Sequence, residues 1–583
     1  MTSTLIPPPA LDRPVFTAPE VHPDRIGLPV AGAAPAEPVP ADSLGAALAW
    51  RAKWRPLSVA HHVVDGRQGE TRLTSRDLYR LAGAAAVRLR RAGVGTGDAV
   101  ALCLDTSVDL LAALYGASLV GAVPFLVEPP LTRARHEGWL SRTAAMVAAA
   151  TPAAVVCGPA LATTAARLGP PVLVAPFGTA DIPAPTPVRP EAPALIQFSS
   201  GTTGTPKAVV LSHRSVLEAS RAIALAAPFL AGDMLGGWLP LHHDMGLIGT
   251  VVSPFLHNLA SAIMPPLSFV MRPERWLTLL HRFRVTISPA PNFAYRLAAE
   301  AIAGLTAVGL DLSAWRVAFN GAELVDHATL RQWQAALGPH GFAATSMRPC
   351  YGMAELGLAA TFAPAGSLPR VRTVSRSALT TEGALLPPLT PGDAHDLVSC
   401  GVEVPGLAVR VVDADGREVG DSVIGRVEVR GTAMMTGYLG EPPLAPGSWL
   451  DTGDLGFRDS GELVLTGRAK DLVIVAGRNH HPYPIEQAAC EPPRVRPGAA
   501  AAVGVPDPVL GTERLVVVVE SVVFREPAEA AALAFEVERV VSERTALRPD
   551  RVLVVRPGTL PRTSSGKMRR GLVASMVASG ELA

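Results

Sequence analysis

Phe198-Ser199-Ser200-Gly201-Thr202-Thr203-Gly204-Thr205-Pro206-Lys207 gathers hydroxyls, glycines and one cation into a single short loop. An apolar run, Ala194-Leu195-Ile196-Gln197-Phe198, leads in, and a second, Ala208-Val209-Val210-Leu211, leads out. Glycines let backbone N–H groups turn toward an anion at close range. The Ser and Thr hydroxyls add donors, and Lys207 adds a full charge. The segment reads as a phosphate-gripping loop on a β-hairpin. The P-loop of NTPases is excluded, because that pattern needs Gly-Lys-Ser/Thr opening a helix. Here Thr205 and Pro206 separate the last glycine from Lys207, and a strand follows.

Outward from this loop, the chain has 583 residues, which implies two or more domains. A formal net charge of +1 gives no general attraction to nucleic acid or to an anionic membrane. The five cysteines (Cys103, Cys157, Cys350, Cys400, Cys490) are widely spaced and form no CxxC, so neither a disulfide framework nor a zinc site is indicated. That pattern fits a reducing compartment, and a cytoplasmic location is expected. Residues 1–42 are rich in Pro and Ala and lack a basic segment followed by an apolar core. They read as a poorly ordered or surface-draped extension rather than a signal peptide. The most apolar run, Leu110 to Val127, is interrupted by Gly116, Gly121 and Pro124. It reads as a buried helix followed by a buried strand, so no membrane span is expected.

From Ser43 onward, helical and strand-like patterns alternate. Leu44–Trp50 reads as a helix, and Ser75–Leu81 as another with Ser75 as its N-cap. Asp98–Leu104, Ala153–Cys157 and Pro171–Ala175 read as buried strands. Strands alternating with helices imply parallel sheets covered by helices. After residue 395 the pattern changes: Leu407–Val412 and Gly425–Arg430 flank an Asp/Gly turn, which predicts a β-rich subdomain. Gly467-Arg468-Ala469-Lys470-Asp471 is short and charged and reads as a linker. The remaining 472–583 hold two strand runs and a helix, enough for a small α+β domain.

Five further segments stand out. They are Trp238-Leu239-Pro240-Leu241-His242-His243-Asp244-Met245-Gly246, Asn320-Gly321-Ala322-Glu323, Tyr351-Gly352-Met353-Ala354-Glu355, Asp451-Thr452-Gly453-Asp454 with Gly467-Arg468, and Leu560-Pro561-Arg562-Thr563-Ser564-Ser565-Gly566-Lys567. Taken singly, each has a plain structural reading: a capped helix start, an ordinary turn, an acid in a first helical turn, a tight turn, a basic tail. Together with the opening loop, and in this order, they resemble the adenylate-forming superfamily of acyl-CoA synthetases, adenylation domains and luciferases. The resemblance runs from Ser43 to the end.

It implies an α/β fold: a large N-terminal domain (43–466) of parallel sheets flanked by helices plus the β-rich subdomain, a hinge at 467–471 pivoting on Lys470 and Asp471, and a mobile C-terminal domain (472–583). It implies ATP and Mg²⁺. Ser199, Ser200, Gly201, Thr202, Thr203, Gly204 and Lys207 would grip phosphate. Gly321, Ala322 and Glu323 would line the adenine site with Tyr351, Gly352 and Met353, where the Tyr351 ring can pack on the base. Glu355 can hold Mg²⁺, since hard cations prefer oxygen ligands. Asp454 can accept both ribose hydroxyl protons, with Arg468 reaching ribose or phosphate. By resemblance, His243 stands at the mouth of the acyl pocket and Lys567 is the mobile catalytic lysine.

Within the superfamily the chain is most similar to the fatty acyl-AMP ligases. The features are the Trp238-Leu239-Pro240 motif, Gly477-Arg478-Asn479-His480-His481-Pro482 followed by Ile485-Glu486, and an insertion-like stretch at 367–398. In that family the insertion restrains the domain motion that CoA transfer requires. Pro369, Pro387, Pro388 and Pro391 stiffen the stretch, and Leu385, Leu386 and Leu389 would dock it on the large domain. Two departures leave the acceptor open: Lys207 with Thr203-Gly204 is closer to the acyl-CoA synthetase form, and Pro484 stands where Asp is expected. The expected partners are a fatty or other carboxylic acid and a holo acyl carrier protein. Free CoA is the alternative acceptor, and a catalytically silent homologue serving as a binding partner is the alternative of another class. His480 and His481 read as structural.

Overall fold

The computed structural model describes residues 33–66, 69–130, 136–180, 184–199, 207–303, 309–475, 478–507, 512–563 and 566–582. Of the N-terminal extension, the described part drapes over the large domain. Pro35 bridges Leu230, the Val39 N–H donates to the Leu256 carbonyl at 2.7 Å, and the Val39 side chain is buried.

A first sheet is wholly parallel, ordered Val123–Leu126, Ala99–Cys103, Ala154–Cys157, Val172–Val174. The apolar run read as helix then strand is Val108–Leu119 followed by Val123–Leu126, both buried. Helix Ser75–Arg91 packs on Val108–Leu119 so closely that a side chain at Gly116 would lie 2.7 Å from Ala85 Cβ. Its N-cap is Thr74 rather than Ser75. The Thr74 hydroxyl accepts from the Asp77 N–H and the Asp77 carboxylate accepts from the Thr74 N–H, a reciprocal pair that Ser75 cannot make. The run at Pro171–Ala175 also departs from its reading as buried. Its strand, Val172–Val174, is an edge strand with Val174 38% exposed.

The second sheet has nine strands. Its parallel centre runs Val59–Val64, Ala260–Ile263, Met234–Gly237, Ile287–Pro291, Val317–Gly321, Met347–Gly352, with antiparallel strands at both edges. The runs that flank the opening loop pair as an antiparallel hairpin, as their pattern predicts. Pro193–Ser199 pairs with Lys207–Ser212, and Gly437–Tyr438 adds a third strand. The β-rich subdomain is a four-stranded antiparallel sheet of Leu407–Val412, Gly425–Gly431, Leu450–Asp459 and Glu462–Arg468. Gly467 and Arg468, read as linker, are thus the end of a strand, and the following turn is Ala469–Asp471.

The small C-terminal unit packs helices Pro482–Ala489, Pro527–Thr545 and Arg570–Ala578 on a sheet of Ala500–Asp507, Thr512–Glu520 and Arg551–Val555. It has apolar clusters of its own around Val517 and Val518. All five cysteines are free thiols, and no helix among the described residues is long and apolar enough to cross a membrane.

The stretch at 367–398 is a hairpin, Val371–Ser375 with Ala394–Val398, carrying the helix Arg376–Glu382. Val374, Leu379 and Leu397 bury against Phe457 and Val464 of the β-rich subdomain. The apolar face is therefore not the one read from the leucines: Leu385 is partly buried there, but Leu386 and Leu389 are 51% and 92% exposed. The hairpin also grips the small domain. His480 Nδ1 donates to the Thr380 carbonyl at 2.9 Å, and Arg376 pairs with Glu491 at 3.0 Å. Arg544 pairs with the same Glu491 at 2.9 Å and reaches the Gly392 carbonyl.

Candidate active site

Four neighbouring parallel strands of the large sheet end on one edge, and three of them are followed by a segment singled out in the sequence. Met234–Gly237 leads into Trp238–Gly246, Ile287–Pro291 into Asn292–Phe293, Val317–Gly321 into Ala322–Glu323, and Met347–Gly352 into Met353–Glu355. Ligands of open α/β sheets bind outside such carboxyl ends.

On one wall, Tyr351 and Asp454 are both buried, and the tyrosine hydroxyl donates to Asp454 Oδ2 at 2.6 Å. Arg468 is the cross-strand partner of Asp454 and pairs with its Oδ1 at 2.8 Å. Burial and the adjacent carboxylate push the Tyr351 hydroxyl well above its usual pKa, so it stays a donor. The Gly321 and Gly352 positions admit no side chain: a Cβ would lie 2.6 Å from Cys350 Sγ at the first and 1.8 Å from the Leu358 carbonyl oxygen at the second. Ala322 takes the left-handed conformation at φ 66°. Glu323 is engaged locally, its Oε1 accepting from the Phe293 N–H at 2.6 Å in the first turn of helix Asn292–Ala303.

Ser199 and Lys207 are register partners at the hairpin mouth. Ser200, Gly201, Thr202, Thr203 and Gly204 lie outside the described residues. Glu355 is buried in a single 3₁₀ turn, Ala354–Leu356, and its Oε1 accepts from the Tyr438 hydroxyl at 2.9 Å. Lys207 Nζ lies 4.5 Å from the centroid of the same Tyr438 ring. Sequence reading missed Tyr438, which lies 83 residues beyond Glu355 and carries no local signature.

At the floor, Asp244 caps the helix Met245–Val252, accepting from the Met245 N–H at 2.7 Å. His242 and His243 lie ring to ring at 4.6 Å. Burial pushes the His243 imidazole well below its usual pKa, helped by His242 and by the Lys567 ammonium, so it is neutral near pH 7. Trp238 stacks on Phe269 at 3.9 Å with Phe293 edge-on, an aromatic wall beside this floor.

Lys567 enters from the small domain. Its loop is closed by the Lys567 N–H donating to the Thr563 hydroxyl at 3.0 Å and the Thr563 N–H donating to the Lys567 carbonyl at 2.8 Å. Gly566, at φ 88°, lies so close to the Phe293 ring that an added Cβ would be 2.4 Å away. Ser564 and Ser565 lie outside the described residues. Burial pulls the ammonium below its usual pKa, as does nearby Arg468, while Asp244, Asp454 and Glu323 oppose that shift. The residues separated by hundreds of positions in the chain thus share one electrostatic environment. Asp471 is tied to the small domain, accepting from Arg570 at 2.9 Å, and Arg570 also pairs with Glu486 at 2.6 Å. Among the described residues no group of three or more His, Cys, Asp or Glu is arranged to hold a metal ion.

Known proteins resemble this chain in sequence and fold. The model of the AMP-binding enzyme family matches residues 48–439. The chain is 32% identical over 576 residues to the long-chain-fatty-acid–AMP ligase FadD26 of Mycobacterium tuberculosis, covering 91% of this chain and 97% of that one. It is 33% identical over 411 residues to the medium-chain-fatty-acid–[acyl-carrier-protein] ligase TtuA of Teredinibacter turnerae, covering 67% and 64%. A structure from a study of fatty acyl-adenylate ligases of E. coli and L. pneumophila superposes with a TM-score of 0.84 at 29% identity, covering 93% of this chain and 99% of that one. The family match spans well over half the chain and takes in the hairpin and all three sheet-end loops that bear motifs, so the chain belongs to the AMP-binding, adenylate-forming enzymes.

Proposed function

We propose that the protein joins a fatty acid to AMP, releasing pyrophosphate, and then passes the acyl group to the phosphopantetheine thiol of an acyl carrier protein. The observation that carries this is the seating of the small domain's Lys567 loop against Phe293 at the ends of the large sheet's strands, where the ammonium feels the charges of Asp244, Asp454 and Arg468. In adenylation a carboxylate oxygen attacks the α-phosphorus, and the bond to pyrophosphate breaks with its electron pair leaving on pyrophosphate. Two anions must approach, so a preorganised ammonium touching both lowers the barrier. In this reading Asp454 and Arg468 hold ribose, Tyr351 and the backbone at Gly321, Ala322, Gly352 and Met353 hold adenine, and Ser199, Lys207 and the loop between them hold phosphate. His243, kept neutral, flanks the carboxylate. Glu323, bonded to the Phe293 N–H through Oε1, braces the adenine loop that it lines with Gly321 and Ala322. A single buried carboxylate such as Glu355 suits Mg²⁺, which takes one or two carboxylates beside substrate phosphates. When bound there, Mg²⁺ neutralises phosphate charge.

The choice of acceptor is supported by the hairpin at 367–398, which is bonded to both domains and so resists rotation of the small one. Glu491, bridging Arg376 and Arg544, is its ionic anchor. A carrier protein can offset that resistance with interface contacts of its own, whereas CoA has far less surface. Offering CoA and holo-carrier protein separately to the acyl-AMP-loaded enzyme tests this: turnover is expected with the carrier, and acyl-CoA formation at the rate of adenylation would instead favour an acyl-CoA synthetase. The double variant Arg376→Ala/Glu491→Ala should raise acyl-CoA formation by about fivefold, since partly exposed ion pairs contribute at most about 1 kcal/mol each. An unchanged rate would show that the anchor does not restrain transfer.

The pivot for that rotation is assigned to Lys470. Asp471 moves with the small domain through Arg570, and Arg468 is held in the large domain by its strand. Hinges are a few element-terminal residues that absorb the φ/ψ change. Lys470→Pro fixes φ and should slow transfer more than adenylation. An unchanged ratio of the two half-reaction rates would place the hinge elsewhere.

A further inference from the structure

We propose that Tyr438 is a positioning residue that couples the two charged sides of the phosphate site, holding the Glu355 carboxylate with its hydroxyl and the Lys207 ammonium with its ring. The proposal rests on the adenylation function above. Each contact is independently visible: the hydroxyl is 2.9 Å from Glu355 Oε1, and Lys207 Nζ is 4.5 Å from the ring centroid.

The backbone explains why this side chain occupies that place. Gly437–Tyr438 pairs with the hairpin strand that begins at Lys207, with Tyr438 opposite Val209. The Leu439 N–H donates to the Ala208 carbonyl at 2.8 Å, and the Met435 N–H donates to the Glu355 carbonyl at 2.7 Å. The short segment 435–439 is therefore stitched to the phosphate hairpin at one end and to the Glu355 turn at the other.

The chemistry follows from these contacts. Glu355 is 6% exposed, and a buried carboxylate is costly unless hydrogen-bonded. The Tyr438 hydroxyl supplies that bond and fixes which way the carboxylate faces. The ring face attracts the lysine cation, restricting a long, exposed side chain to the hairpin mouth. One residue thus presets both the carboxylate that suits a divalent cation and the cation that meets phosphate.

Two substitutions separate the two contacts. Tyr438→Phe keeps the ring and removes the hydroxyl; Tyr438→Leu removes both. Loss of a group that orients a metal ligand typically costs about 10–100-fold in metal affinity. Tyr438→Phe should therefore raise the half-saturating Mg²⁺ concentration in acid-dependent pyrophosphate exchange by that factor. It should leave ATP binding in EDTA, measured by equilibrium dialysis, unchanged. Tyr438→Leu should also weaken that metal-free binding by about two- to fivefold. Melting temperatures report on folding. An unshifted Mg²⁺ requirement in Tyr438→Phe would overturn the proposal, as would equal losses of metal-free binding in both variants accompanied by equal losses of melting temperature. Wild-type protein that exchanges pyrophosphate with no acid would remove the adenylation reading and this proposal with it. Normal wild-type exchange with an unmoved Tyr438→Phe would remove this proposal alone.

Discussion

Lys567→Ala is expected to slow acyl-AMP formation by about 10²–10³, the usual effect of removing one preorganised charged contact to a transition state. The fold should persist, because the backbone of the loop is closed by Thr563 and seated on Phe293 independently of the ammonium. A pH profile adds a sign. Burial pulls the Lys567 pKa down from the usual lysine value of 10.5. The charged form is the useful one, so adenylation should decline on the alkaline side at a pH below that value. Lys567→Arg, which stays charged, should carry that decline to higher pH. A single-turnover rate for Lys567→Ala equal to wild type would refute the role, and an alkaline limb unmoved in Lys567→Arg would assign the titration to another group.

Asp454→Ala is expected to weaken ATP binding by about 10²-fold, near 3 kcal/mol, because it removes charged hydrogen bonds of roughly 1.5–3 kcal/mol each. The substitution has an internal cost as well, since it strips the Tyr351 hydroxyl and Arg468 of their shared partner. Asp454→Asn keeps the shape, so its loss should be smaller. Glu355→Gln should act differently, raising the Mg²⁺ requirement more than it weakens metal-free ATP binding. Titrations of ATP with and without Mg²⁺ separate the two. Equal, Mg²⁺-independent losses in both positions would contradict the division of roles.

The sequence disclosed the parallel sheets because buried parallel strands, such as Ala99–Cys103 and Ala154–Cys157, are continuous apolar runs. Periodicity cannot say which run lies at an edge, so Val172–Val174 read as buried although the sheet ends there. Two adjacent hydroxyl residues, Thr74 and Ser75, were both able to cap a helix, and the acid at Asp77 three residues after Thr74 selects the first. Candidate residues such as Asp454 and Lys567 stood out in the sequence because their motifs are local. Their partners did not, since Tyr351–Asp454 and Tyr438–Glu355 join positions brought together only by the sheet. The same holds for Glu323, whose partner, the Phe293 N–H, lies on the neighbouring strand's exit. In the hairpin at 367–398 the leucines were visible, but which of them face Phe457 depends on the pairing of Val371–Ser375 with Ala394–Val398.

The central claim is that this site adenylates a fatty acid. Exchange of labelled pyrophosphate into ATP, measured across a panel of carboxylic acids from short to long chain with wild type and Lys567→Ala side by side, tests it most directly. The account predicts exchange that depends on a fatty acid and falls about 10²–10³-fold in the variant. No exchange with any acid by well-folded wild-type protein, or exchange indifferent to Lys567, would contradict it.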